Sequence, residues 1–341
     1  MGRSWLDALA DLVDRVPAPR WVVYIGAAVA WVVFGGIIGR AASQADAPLV
    51  DPMLAIGIGL PLIVLWARQA LDDVAVGALA TLRPRLDLDD AATAEVAGDL
   101  RRTPPSWAAI ALVLGATAGL GSVLGSPSSW GLEERDSGIT WAVRLAMAVA
   151  GSIVIFGFLA HVVHQLRVVD RLHRRHVRVD LFRLEPLYSF ATLTARTGMT
   201  LIGVAALGFA AVSLVMPGLR LSAADLSSAV VLFGVAIACF VAPLLSLHDR
   251  IVEEKDRRLA EANGTLAATL AELRRRVAAG EIDEAAKLND AVAAANSSVL
   301  VVARVSTWPW RPETLRAFAG AVLLPIALWV VFEVLRRAFP A

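Results

Sequence analysis

Apolar residues in this chain fall in long unbroken runs, not in the alternation of a half-buried strand. Seven runs, at about 21–39, 52–66, 107–125, 140–163, 200–217, 227–247 and 315–335, approach or reach the roughly 20 residues that carry a helix across a bilayer. The second is short and contains Gly57, Gly59 and Pro61, which suits a tilted, kinked or partly re-entrant segment.

Between the sixth and seventh runs the pattern changes to a helical stripe. Leu259, Ala262, Leu266, Leu270, Leu273 and Val277 recur in steps of three and four, Gly280 fits a C-terminal cap, and Leu288, Val292, Ala295, Val299 and Val302 repeat the spacing. Two such helices joined by a short turn predict an antiparallel hairpin over 248–306. The chain then returns through Thr307-Trp308-Pro309-Trp310-Arg311-Pro312, where proline forbids a continuous helix and tryptophan suits the headgroup zone. A shorter device of the same kind occupies 68–106: Pro84 ends a helical extension, Asp87-Leu88-Asp89 can cap a short helix, and Pro104-Pro105-Ser106-Trp107 leads back.

The expected fold is therefore all-α, a polytopic membrane helix bundle of about seven spans with a cytoplasmic antiparallel helical hairpin. Its parts are a cytoplasmic N-terminal segment (1–20), a six-helix membrane region (21–247) with cytoplasmic loops 68–106 and 165–197, the hairpin (248–306), and a proline-tryptophan corner with the seventh span (307–341).

Composition agrees with this class. Hydrophobic residues make up 57% and charged residues 18%, against about 45–50% and 25% in soluble domains. That balance excludes disorder, and the single cysteine, Cys239, excludes an intrachain disulfide framework. A net charge of +1 supplies no field to recruit nucleic acid. Distribution matters more than the total. With the N-terminus cytoplasmic and the C-terminus outside, 26 of the 32 basic residues fall on the inner side, as the positive-inside rule requires. Arginine almost replaces lysine (only Lys255 and Lys287 occur), which with abundant Ala, Gly and Val reads as a high-GC coding bias, and the expected location is a bacterial or archaeal plasma membrane.

Small residues at four-residue spacing, Gly35/Gly39, Gly115/Gly119 and Gly121/Gly125, with Gly203, Gly208 and Gly234, predict close helix packing and leave room for a homo-oligomer. The middles of the runs lack ionisable residues, which disfavours a charge-coupled carrier. Arg144 lies one turn inside its run, where it can snorkel to the outer headgroups.

Candidate chemistry concentrates in residues 161–185. Four of the five histidines are here, as the i, i+3 pairs His161/His164 and His173/His176. Imidazoles at that spacing can share a metal, with His248 a third contributor, but fifteen positions separate His161 from His176, about 22 Å along one helix. The expectation is no metal site and no cofactor. Arg167, Arg171, Arg174, Arg175 and Arg178 fall on one face, opposite Leu166, Val169, Leu172 and Val177. Such a basic amphipathic helix suits anionic headgroups of the bilayer or another phosphate. The stretch 179–190, mixing apolar and charged residues, is expected to lie along the membrane interface.

No phosphate loop, dinucleotide fingerprint, nucleophile elbow or paired-carboxylate cluster occurs. The reading that follows is a non-enzymatic scaffold or signal-coupling protein with a cytoplasmic protein partner at the hairpin. The alternative is an oligomeric channel or transport protein, with the hairpin as gating or assembly element.

Overall fold

Prolines and small polar caps divide the apolar runs into helices. In the computed structural model, which describes residues 3–42, 52–132, 137–177, 179–215 and 223–338, the order is α1 (Trp5–Asp14), α2 (Arg20–Ala42), α3 (Pro52–Leu82), α4 (Asp90–Arg101), α5 (Pro105–Gly125), α6 (Gly138–His176), α7 (Tyr188–Val215), α8 (Ala223–Ala278), α9 (Ile282–Ala303) and α10 (Pro312–Ala338). The described residues contain no strand, and one antiparallel bridge joins Leu86 to Val177. Five helical stretches, Ala55–Arg85, Asp90–Gly125, Gly138–His176, Glu185–Val212 and Phe233–Ala278, are long and apolar enough to cross a membrane, and Arg20–Phe34 is a shorter apolar helix.

The starts and stops have local causes. Ser4 and Asp7 form a reciprocal capping box on α1, each side chain accepting from the other's backbone N–H at 3.2 Å. Asp89 caps α4 by accepting from Ala92 N–H at 2.7 Å, as the first-loop sequence suggested. Proline opens both α5 and α10, where a missing N–H costs nothing. α3 continues through Pro61 as one 31-residue helix. Gly280 takes φ +76° between α8 and α9, a conformation that side chains with a Cβ rarely adopt.

Packing inverts the soluble pattern. On α5, Ala108, Ala111, Gly115, Gly119 and Val123 turn inward, while Ile110, Leu112, Val113, Leu114 and Leu124 are exposed. The inward glycines bring α5 against α6: a Cβ at Gly115 would lie 2.5 Å from Ile153 Cα, and one at Gly119 2.6 Å from Val149 Cα. Apolar outer faces of this kind suit hydrocarbon, and small inner residues let backbones approach.

The largest buried cluster joins one end of α3, α6, α7 and α8 to α4, with Leu79, Leu82, Leu100, Val169, Leu172, Phe190, Leu193, Leu247 and Ile251 at its heart. It corrects the reading of 179–190. Leu181, Leu184, Leu187 and Phe190 are buried in this cluster, because the 3-10 turn at 185–187 folds them onto α3 and α6 instead of laying them along an interface. The Arg144 guanidinium bonds the carbonyl of Trp130, in the 3-10 turn at 127–130 that precedes α6, and so ties that turn to the helix. Arg135, Arg178 and Arg220 lie outside the described residues.

Gly115→Ala is expected to lower stability by about 1–3 kcal/mol, since the added methyl meets backbone that cannot step aside. Gly121→Ala, with nothing within 4 Å, is expected to be neutral or slightly stabilising. Thermal unfolding of the two purified variants in detergent distinguishes these outcomes.

Candidate functional site

α4 is twelve residues long and near-neutral in hydropathy, so it needs outside partners to persist. Its C-terminus gets them. The last four carbonyls of any helix lack intrahelical donors. Here Gly98 O accepts from Arg102 N–H (3.1 Å), Asp99 O from His164 Nε2 (3.2 Å), Leu100 O from Gln165 Nε2 (3.0 Å) and Arg101 O from Arg68 Nη2 (3.1 Å). Three side chains from α3 and α6 thus close a helix end between them.

The same side chains belong to a larger buried polar junction. Arg68 is 1% exposed. Its guanidinium donates to Asp7 Oδ1 at 2.6 Å and to Leu6 O at 2.7 Å, which fixes α1 to α3. Asp7 Oδ1 also accepts from Thr103 N–H at 3.2 Å. One turn along α3, Asp72 Oδ1 accepts from His161 Nε2 at 2.7 Å and from Gln165 Nε2 at 3.2 Å. With Nε2–H donated to Asp72, Nδ1 of His161 is left to accept the Thr103 hydroxyl, 2.9 Å away. Gln69 completes the set, donating to Ala10 O and accepting from the Tyr24 hydroxyl. Gln165 Oε1 and Arg68 Nε have no hydrogen-bond partner among the described residues.

An Asp-His-Thr relay is the geometry of an activated hydroxyl. Here, however, His161 is 0% and Thr103 1% exposed, so this hydroxyl faces protein on every side. The arrangement orients helices.

A second group of contacts surrounds α8. Arg250 Nη1 donates to His173 O (3.0 Å) and Arg174 O (2.7 Å), placing a cation on the C-terminus of α6. Lys255 Nζ does the same for the end of α9, donating to Ala303 O (2.7 Å) and Val305 O (2.8 Å). His248 Nδ1 donates to Thr307 O at 3.0 Å, and its ring stacks on Trp308, which stacks on Trp310. Phe240 and Phe318 continue the column. Three successive levels of α8 therefore grip three other segments.

The histidines singled out in the sequence are not brought together. His161 is engaged at both nitrogens, His164 holds α4, and His248 holds the tryptophan corner. Among the described residues no group of three or more His, Cys, Asp or Glu is placed to hold a metal. Of the arginine face, Arg167, Arg171, Arg174 and Arg175 are exposed and Arg178 lies outside the described residues, while Leu166, Val169, Leu172 and Val177 are buried. Arg167 lies over the Trp107 ring at 4.6 Å, and Arg174 pairs with Asp170 at 3.0 Å.

Sequence reasoning missed Asp7, Arg68, Gln69, Asp72 and Gln165. The available signal was polar residues at i, i+1 and i+4 just beyond an apolar run, met by the i, i+3, i+4 set His161, His164 and Gln165. His173 was seen but not its setting. It is fully buried with its ring edge-on to Phe190 at 5.1 Å. The Pro243 carbonyl faces the imidazole without meeting hydrogen-bond geometry, and burial pushes the pKa down to about 4, with Asp170 opposing and Arg250 reinforcing the shift.

Two outcomes follow. Asp7→Ala leaves the Arg68 charge uncompensated and is expected to cost about 3–5 kcal/mol, whereas Arg68→Met with Asp7→Leu is expected to cost less than the single change. A double-mutant cycle on thermal unfolding measures both. Because the folded state holds His173 neutral, the unfolded state binds more protons between pH 6.5 and about 4, so stability falls as pH falls through that window. The drop from pH 6.5 to 5 is expected to approach about 2 kcal/mol and to shrink in His173→Phe, as read from unfolding midpoints at each pH. No known family model matches the chain, and no curated protein or solved structure matches it either, so the geometry alone carries the functional reading.

Proposed function

We propose that the chain is a seven-span, non-enzymatic protein of a bacterial or archaeal plasma membrane, N-terminus cytoplasmic and C-terminus outside, that couples its membrane bundle to a cytoplasmic protein partner through a hairpin of α8 and α9. The observation that carries this reading is the continuity of α8, 56 residues from a membrane-length apolar segment to the turn at Gly280. At about 1.5 Å per residue it extends roughly 84 Å, and a displacement at either end reaches the other.

Several features support it. Arg250, Lys255 and His248 bind α8 to the ends of α6 and α9 and to the corner before α10, so the helix is held where it leaves the bundle. Glu254 pairs with Arg257 and Arg258, and Glu272 with Arg275 and Arg276, at helical spacing that stiffens the exposed arm. Those two arginines hold the Glu272 carboxyl down at about 2. Along the seam Leu259, Leu266, Leu270 and Leu273, with Leu288, Val292 and Val299, are only half-buried, while Val277, Leu300 and Val301 are exposed, which leaves apolar surface for a partner. Among the described residues His161 and Thr103 of the Asp72–His161–Thr103 relay are closed off from solvent, in keeping with a non-enzymatic role. The arginine face of α6 would meet anionic headgroups.

A second reading, an oligomeric channel, draws on one observation. A Cβ at Gly121, Gly125, Gly203 or Gly234 would meet nothing within 4 Å, so these small residues are available to a further subunit.

Replacing residues 260–299 with a short Gly-Ser linker, which spares Arg250 and Lys255, is expected to abolish recovery of the partner in cross-linked pull-downs from cells. Unchanged recovery overturns the coupling role. Ion flux in proteoliposomes tests the channel, and a clean negative across several ions removes it.

A further inference from the structure

One face of the short N-terminal helix is covered by protein, and an apolar face is not. Leu6 and Asp7 are buried against the bundle. On the other side Ala8, Leu9 and Leu12 fall within roughly 100° of one another at helical spacing, and Val16 follows just past the cap. Leu9 is 37% exposed, Leu12 60% and Val16 43%. In water this would be a costly patch.

Its position says what covers it. Trp5 Nε1 donates to Ala108 O at 2.9 Å, and the Trp5 ring packs against Gly157, where a Cβ would lie 2.8 Å from it. Ala108 and Gly157 both lie inside apolar membrane-length helices. α1 therefore sits at the depth where α5 and α6 enter the bilayer, not beyond it. A few residues on, α2 also exposes Trp21, Val22 and Ile25. Arg3 and Arg15 are exposed at the two ends of the helix, where headgroup phosphates would meet them.

We propose that α1 is an in-plane amphipathic helix whose Leu9–Leu12 face is seated in lipid at the headgroup–acyl boundary of the inner leaflet, while Asp7 on its opposite face holds Arg68. Amphipathic helices lie in this zone with their apolar side a few ångströms into the acyl region. The same ten residues thus contact lipid on one side and a buried ion pair on the other. The proposal rests on the membrane spans put forward above, and the test separates the two.

The wild-type chain is reconstituted in vesicles of phosphatidylglycerol and phosphatidylethanolamine that include a lipid with a photoactivatable diazirine on its acyl chain, and labelled peptides are mapped by mass spectrometry. Label on the peptide containing Leu9 and Leu12, together with the α5 peptide containing Leu112–Leu114, supports the proposal. Label on α5 without α1 overturns the α1 proposal alone, and label on neither overturns the spans and the proposal together. A nitroxide at Leu12→Cys in a Cys239→Ala background gives an independent reading, with Lys287→Cys as reference. Oxygen accessibility well above that of a nickel chelate at position 12, with the reverse at 287, supports lipid contact. Nickel access at 12 equal to that at 287, or protection from both probes, overturns it.

Discussion

A guanidinium withdrawn from water is the constraint around which one end of this protein is arranged. Arg68 sits among the ends of α1, α4 and the α4–α5 corner, and a charge buried there is tolerable only if its donors find acceptors and its charge finds a partner. Asp7 supplies the charge; Leu6 and Arg101 supply carbonyls. None of these groups is near Arg68 in sequence. Satisfying one side chain therefore fixes the place of two short helices, neither of which has the length to be stable alone. The Asp72–His161–Thr103 chain, one turn along α3, repeats the logic with α6. Buried polar networks of this kind favour one arrangement where apolar packing would accept several.

That division of labour runs through the molecule. Deep in the bundle, glycine and alanine set how near two helices come, with shape as the only instruction. Toward the end that holds Arg68, hydrogen-bond capacity takes over, and helix termini become the currency of assembly: α4 is closed by His164, Gln165 and Arg68, α6 by Arg250, α9 by Lys255. A helix C-terminus presents several carbonyls in one direction, so a single long cationic side chain can hold it.

The sequence made the elements legible because each is set by local chemistry. Asp89 capping α4, the turn at Gly280, and the inward Gly115–Gly119 pair of α5 are properties of a few neighbouring residues. The stripe positions Leu259, Ala262, Leu266, Leu270 and Leu273 are half-buried, and Val277, close to the turn, is exposed. The polar junction was not legible for the opposite reason. Arg68 and Asp7 lie 61 residues apart, and His161 and Asp72 89 apart. No periodicity connects them, and the choice of partner belongs to the packing of whole helices. The stretch 179–190 misled because its mixed pattern fits an interface as well as it fits a tight turn folded over a core. The arginine face of α6 was readable because burial of its apolar side depends on helical period alone.

Pro243 occupies the interior of α8, and Ala278, the helix's last residue, lies 35 positions beyond it. At about 1.5 Å per residue that arm measures roughly 52 Å. A change of only about 10° in direction at the proline, small beside the kinks prolines commonly introduce, would swing the far end by roughly 9 Å. A subtle repacking among Phe240, Leu244 and Leu247 would then arrive at the other end as a movement nearly the width of a helix. In mechanical terms, the protein has the proportions of a lever with its fulcrum in the bundle wall.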